Sequence, residues 1–181
     1  MKKITLSLVA FMASLLMLNS GCEKLKEAFT FHFNIGGEVT IPANIPPNIP
    51  YSVPAVGLPF NASEVYSTNQ TAGDLIKEIN LESFTLTITE PMMVDFDFMD
   101  KIEISFEKEG LPDKLVAWID EVPADAGQTL DLEVTPDLLN EYLLTDGIKI
   151  KVKVITKSLN SQAIKINNAI KIRVRADPFD K

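Results

Sequence analysis

The sequence predicts an all-β protein built from two packed sheets, and three observations predict it. Apolar and polar residues alternate singly through most of the chain after residue 28. Turn formers break these runs at short intervals. Long helical periods do not intervene, which sets the chain apart from a parallel α/β sheet with its alternating strands and helices.

Phe29, Phe31 and Phe33 alternate with Thr30, His32 and Asn34 as a half-buried strand. Gly36-Gly37 is expected to break the phase as a turn or bulge, with extended structure resuming over 38–41. Six of the eleven prolines fall between Pro42 and Pro59. Proline removes ladder donors, so 42–60 reads as a long ordered loop or an edge crossing, not a central strand. Residues 62–67 read as a short strand, and 71–79 as a short helix capped by Thr71.

Phe84, Leu86 and Ile88 alternate with threonines up to Pro91. Ile102, Ile104 and Phe106 face one way, with Glu103, Ser105 and Glu107 facing the other. A turn at Gly110-Leu111-Pro112-Asp113 leads to a strand over 114–119. Leu130, Leu132 and Val134 mark the next strand, and 136–142 reads as one or two helical turns opened by Pro136. Ile148, Ile150, Val152 and Val154 form a strand, as do Ile164, Ile166, Ile170, Ile172 and Val174. Eight or nine strands with one apolar face each, and one or two short helices, predict a two-sheet Greek-key sandwich of the broad immunoglobulin-like kind. A closed barrel satisfies the same alternation.

The N-terminus carries a different signal. Lys2 and Lys3 precede an apolar run from Ile4 to Leu18, and no acidic residue occurs before Glu23. A charged start followed by about fifteen apolar residues has the shape of a secretory signal and is short for a membrane span. Asn19-Ser20-Gly21 leads into Cys22, the single cysteine. This segment resembles a bacterial lipoprotein signal, with Asn19 standing where the usual pattern has an aliphatic residue and Leu18 one position further back. The resemblance implies cleavage before Cys22 and lipid, palmitate included, on that residue.

The predicted organisation is therefore a signal at 1–21, a lipidated cysteine and charged tether at 22–27, and one β domain at 28–181 with its proline-rich segment at 42–60. With a lone cysteine the domain has no internal disulfide and depends on its hydrophobic core. Signal, tether and strand pattern together resemble uncharacterised β-sandwich lipoproteins of Bacteroidota. That resemblance implies a lipid-anchored envelope location at the outer membrane, with the surface or periplasmic face open, and a role in adhesion or binding.

The whole chain carries 17 basic and 25 acidic side chains. Such acidity argues against general nucleic-acid binding, which leaves a basic footprint. The membrane, through the lipid, and a protein or glycan at the envelope are the expected partners.

Candidate site residues fall into four groups. His32 is the single histidine, and no spacing gives it a nucleophile or a metal partner, so the chain reads as a non-enzyme without cofactor beyond its lipid. Asp95, Asp97 and Asp100 are the densest carboxylates and the candidate calcium ligands, set among Phe96, Phe98 and Met99, which read as packing residues. Trp118 reads as a core residue by default; exposed, it would make a stacking platform with Tyr51 or Tyr66. Lys149, Lys151 and Lys153 form one basic lane, and Lys165, Lys171, Arg173 and Arg175 another. If the last two strands pair, the lanes adjoin and offer an acidic partner a surface; an acidic lane such as Glu103 and Glu107 alongside would instead make each a solvated, edge-protecting face.

Overall fold

In a computed structural model that describes residues 29–179, the single-residue alternation becomes eight antiparallel strands. The predicted signal, the tether and Cys22 lie outside the described residues. The strands are β1 (Thr30–Ile41), β2 (Tyr51–Gly57), β3 (Ile76–Glu90), β4 (Met99–Glu107), β5 (Lys114–Ile119), β6 (Thr129–Val134), β7 (Lys149–Thr156) and β8 (Ile164–Ala176). Two short helices, α1 (Ala62–Thr68) and α2 (Asn140–Leu143), join them. No described helix is long and apolar enough to cross a membrane.

The strand order is β1-β8-β3-β6-β5-β4-β7-β2. Strands β4, β5 and β6 are consecutive neighbours, and β3 and β7 flank them on either side, so two Greek keys overlap. The all-β class and the strand number agree with the sequence reading. The two predicted layers are the two halves of one continuous sheet. Only Ala117↔Val134 and Trp118↔Glu133 join its halves, across β5 and β6. The sheet curls so that the halves face each other: Val39, Leu86 and Ile166 of one line the same narrow apolar void as Ile104 and Val152 of the other.

The two end strands, β1 and β2, do not pair, so the sheet is not a closed barrel. Instead the chain after β2 folds back onto β1. Phe60 stacks on Phe33 at 5.6 Å between ring centroids, and Tyr66 of α1 meets Phe31 edge-on at 6.4 Å. The Tyr66 hydroxyl donates to the Leu143 carbonyl, and burial pushes the phenol's pKa well up. Lys108 braces the same end: its ammonium donates to the carbonyls of Tyr142 at 2.8 Å and Thr145 at 3.1 Å, and desolvation lowers its pKa.

Three local expectations are corrected. Gly36-Gly37 is no break, since β1 runs through it with its phase intact. A Cβ on Gly37 would sit 3.5 Å from both the Asn168 amide nitrogen and Leu58 Cδ2, so the missing side chain makes room for both. Residues 62–67 are helical: the Asn61 side chain accepts from the Glu64 amide as an N-cap, and Ala62 and Tyr66 are buried one turn apart. Residues 71–79 hold only a 3-10 turn at Gly73–Leu75 before β3 starts at Ile76. The inward residues of β3 shift parity, from Ile76 to Ile79 and Leu81 and then to Phe84, because the β3–β8 register slips at Ile76/Glu78 and Leu81/Ser83. The proline-rich segment does supply an edge: β2 pairs with β7 alone, and its register shifts between Val53 and Val56, around Pro54.

Candidate functional site

At one end of the sheet, two loops face each other across a cleft of about 280 Å³. Met93, Val94, Asp95, Asp97 and Phe98 line it from the connection between β3 and β4, and Leu159, Asn160, Ser161 and Gln162 from the connection between β7 and β8.

Both walls are fixed by hydrogen bonds. The Phe96 amide donates to Gly127 O at 2.8 Å, and the Gln128 side-chain amide donates to the Met92 carbonyl. A 3-10 turn at Phe96–Phe98 then buries Phe96 and Phe98 and leaves Asp95 and Asp97 exposed. On the other wall Asn160 is buried and fully used. Its Nδ2 donates to Pro42 O at 2.7 Å and Gln162 O at 3.1 Å, and its Oδ1 accepts from the Ile45 amide at 3.2 Å. One carboxamide thus ties the proline-rich segment to the cleft wall.

The surface chemistry of the cleft is mixed. Met93 is 93 % exposed and Leu159 58 %, and Met92 beside the cleft is 81 % exposed, whereas scattered single residues are the norm on a soluble surface. Asp95 and Asp97 stand among these apolar groups with no ion pair among the described residues.

The structure separates the predicted calcium ligands. Asp95 and Asp97 share the cleft, but Asp100 lies outside its lining, at the start of β4. The cause is the 3-10 turn, which carries the chain inward through Phe98 and Met99 before Asp100. Among the described residues no group of three or more His, Cys, Asp or Glu is arranged to hold a metal ion.

The stacking platform is also not assembled. Tyr66 is in the interior, packed on Phe31, Phe33 and Phe60, and Tyr51 is half-buried opposite Val154. Trp118 is not a core residue. It is half-buried on the outer lane, opposite Glu103 on β4 and Glu133 on β6. The run Leu115–Ile119 is apolar on both parities because the β4–β5 register slips between Ile104 and Ser105, burying both Val116 and Ala117.

The basic lanes do not adjoin, because β7 and β8 never pair. β7 lies between β4 and β2, and β8 between β1 and β3. Each lane meets acids instead. Lys149 faces Glu107 at 3.5 Å, Lys151 meets Asp113 at 2.8 Å and Lys153 meets Glu103 at 2.9 Å. Glu103 also accepts from Lys101 at 3.0 Å, and hydrogen bonds from Lys153 and Lys101 hold its carboxyl below the usual range. On the other half Lys165 pairs with Glu90, Lys171 with Glu82 and Arg175 with Glu78, and Arg173 reaches Asn80. His32, exposed on β1, contacts Glu82 at 3.0 Å. These lanes are neutralised outer faces.

No family model matches this chain, and no curated protein matches it. Among solved structures, the crystal structure of FLHE aligns with 81 % of this chain and 97 % of its own, at 8 % identity and a TM-score of 0.33. A Desmodium yellow mottle tymovirus structure aligns with 84 % of this chain and 91 % of its own, at 10 % identity and a TM-score of 0.28. Both likenesses are too distant to bear on function.

The cleft was half legible in the sequence. Alternation of Asp with Phe at 95–98 marked wet and buried positions. Its second wall, about sixty residues further on, carries no local signal beyond the apolar Leu159 in a polar loop.

Proposed function

We propose that this chain is a non-enzymatic, lipid-anchored envelope protein that acts as a binding module through the cleft between residues 93–98 and 159–164. The observation that carries the reading is the pair of unpaired carboxylates in a cleft that exposed Met93 and Leu159 also line. Methionine adapts its shape to irregular apolar partners, and the carboxylates supply the charge that orients them. The complementary ligand is a protein segment in which basic and apolar side chains alternate. Fixed walls favour binding over chemistry, and no described histidine or cysteine lines the cleft.

The cleft is tested by nuclear magnetic resonance titration with a Lys/Leu peptide and a Glu/Leu peptide of equal length. The Lys/Leu peptide is expected to shift signals from residues 92–98 and 159–164. The double variant Asp95→Asn/Asp97→Asn is expected to weaken it at least about tenfold, as removal of two charge-assisted contacts implies. Equal response to both peptides, or shifts on another face, would sink the assignment.

The anchor is supported by the charged, apolar and small-residue pattern ending at Cys22. One acyl chain gives marginal membrane affinity and several on one residue give stable attachment. Labelled palmitate is expected to enter the intact chain and not Cys22→Ser, with the parent chain in the membrane fraction. Retention of label in Cys22→Ser would refute lipidation at this residue.

A further inference from the structure

The two ends of the sheet are finished differently. β2 carries Pro54 and a register shift, devices that blunt an edge against further pairing. β1 carries neither. It is twelve residues long, its register with β8 is unbroken from Thr30 to Ile41, and it contains no proline and no lysine. In an antiparallel edge strand every second residue turns its amide and carbonyl away from the neighbouring strand. Across 31–41 no backbone hydrogen bond to β2 or to a loop occupies that side among the described residues.

The sequence of this edge is complementary to itself. Antiparallel pairing of two copies about Ile35 sets each residue opposite the one whose number completes 70. On the outer lane, exposed His32 then faces exposed Glu38, Asn34 faces Gly36, and Thr30 faces Thr40. On the inner lane Phe33 faces Gly37, Phe31 faces Val39, and Ile35 meets its own copy. Shifting the centre by one residue to Asn34 or Gly36 leaves His32 and Glu38 opposite uncharged partners. Glu38 lies in the field of Lys165, whose ammonium makes its salt bridge with Glu90 and not with Glu38.

We propose that β1 is a homodimerisation edge, at which a second copy of this chain adds its own β1 antiparallel about Ile35. The contact is isologous, so it closes on itself and yields a dimer and not a filament. The dimer's sheet runs across both chains and leaves β2 as the outer edge on each side. This surface is separate from the cleft, so either assignment can fail without the other.

The test uses the full-length chain. Cells co-produce one chain bearing His32→Cys and one bearing Glu38→Cys, and oxidation is followed by non-reducing electrophoresis. A mixed disulfide at about twice the mass of one chain is expected, well above any dimer band given by the parent. The mismatched pair Thr40→Cys with Glu38→Cys is expected to stay at background. In sedimentation of the detergent-solubilised chain, Glu38→Lys is expected to weaken dimerisation at least about threefold, and adding His32→Glu in the same chain to restore it. Absence of the mixed disulfide, equal yield from the mismatched pair, or an edge occupied by a different protein would each overturn the proposal.

Discussion

Phe84→Ala is expected to cost about 3–5 kcal/mol of folding stability, the range for removing a fully buried phenyl ring. Phe84 is 0 % exposed and sits where three strands meet, opposite Leu132 on β6 and Ile170 on β8. The ladders hold its backbone on both sides, so the surrounding sheet has little freedom to collapse into the space. A domain of this size has about 5–15 kcal/mol in total, so the variant keeps a narrow margin. Urea denaturation followed by tryptophan fluorescence reads the effect through Trp118. The midpoint is expected to fall by more than about 1 M with the slope unchanged. A loss under about 1 kcal/mol would show that the facing half of the sheet can close over the gap.

Asn168→Leu is expected to act in the opposite direction and stabilise the domain by about 1–3 kcal/mol, the desolvation cost of a buried amide left without partners. Asn168 is 4 % exposed and occupies an inward position on β8 between Ile166 and Ile170. Neither Oδ1 nor Nδ2 has a hydrogen-bond partner. Its neighbours around the apolar void are Val39, Ile41 and Leu86. Leucine has the same heavy-atom count and branching, so it fits beside Gly37 without a new clash. A rise in thermal midpoint is the expected readout. A fall would show that the carboxamide, and not the shape, is what the interior requires.

Strands with one unbroken phase were legible in the sequence, and those with slips were not. Ile102, Ile104 and Phe106 on β4 and Ile150, Val152 and Val154 on β7 keep one parity and lie inward as read. β3 shifts parity twice, and over 71–79 its buried residues fall at spacings that imitate a helix. Bulges are set by the neighbouring strand, which local periodicity does not contain. The helix at 62–68 did carry a local signal. Asn61 followed three residues later by Glu64 is a helix start, and Ala62 with Tyr66 is helical spacing. Asn168 was also visible, as the one polar residue on an otherwise apolar parity between Ile164 and Val174. The pairing of the basic lanes was unreadable, because it depends on which strand lies beside β7 and β8.

The position of β8 governs when the chain can fold. It lies between β1 and β3, and it is the last of the described strands to be made. The Thr30↔Arg175 pairing closes a loop that spans nearly the whole domain. Until β8 is available, β1 has no ladder and β3 has only its short pairing with β6, over Phe84–Thr87. A chain threaded through a membrane from its N-terminus would therefore remain unable to complete this sheet while its final strand was still inside the channel. Such non-local pairing also makes folding slow relative to helical domains of similar size. The topology delays the native state until the last of the described strands is free to pair.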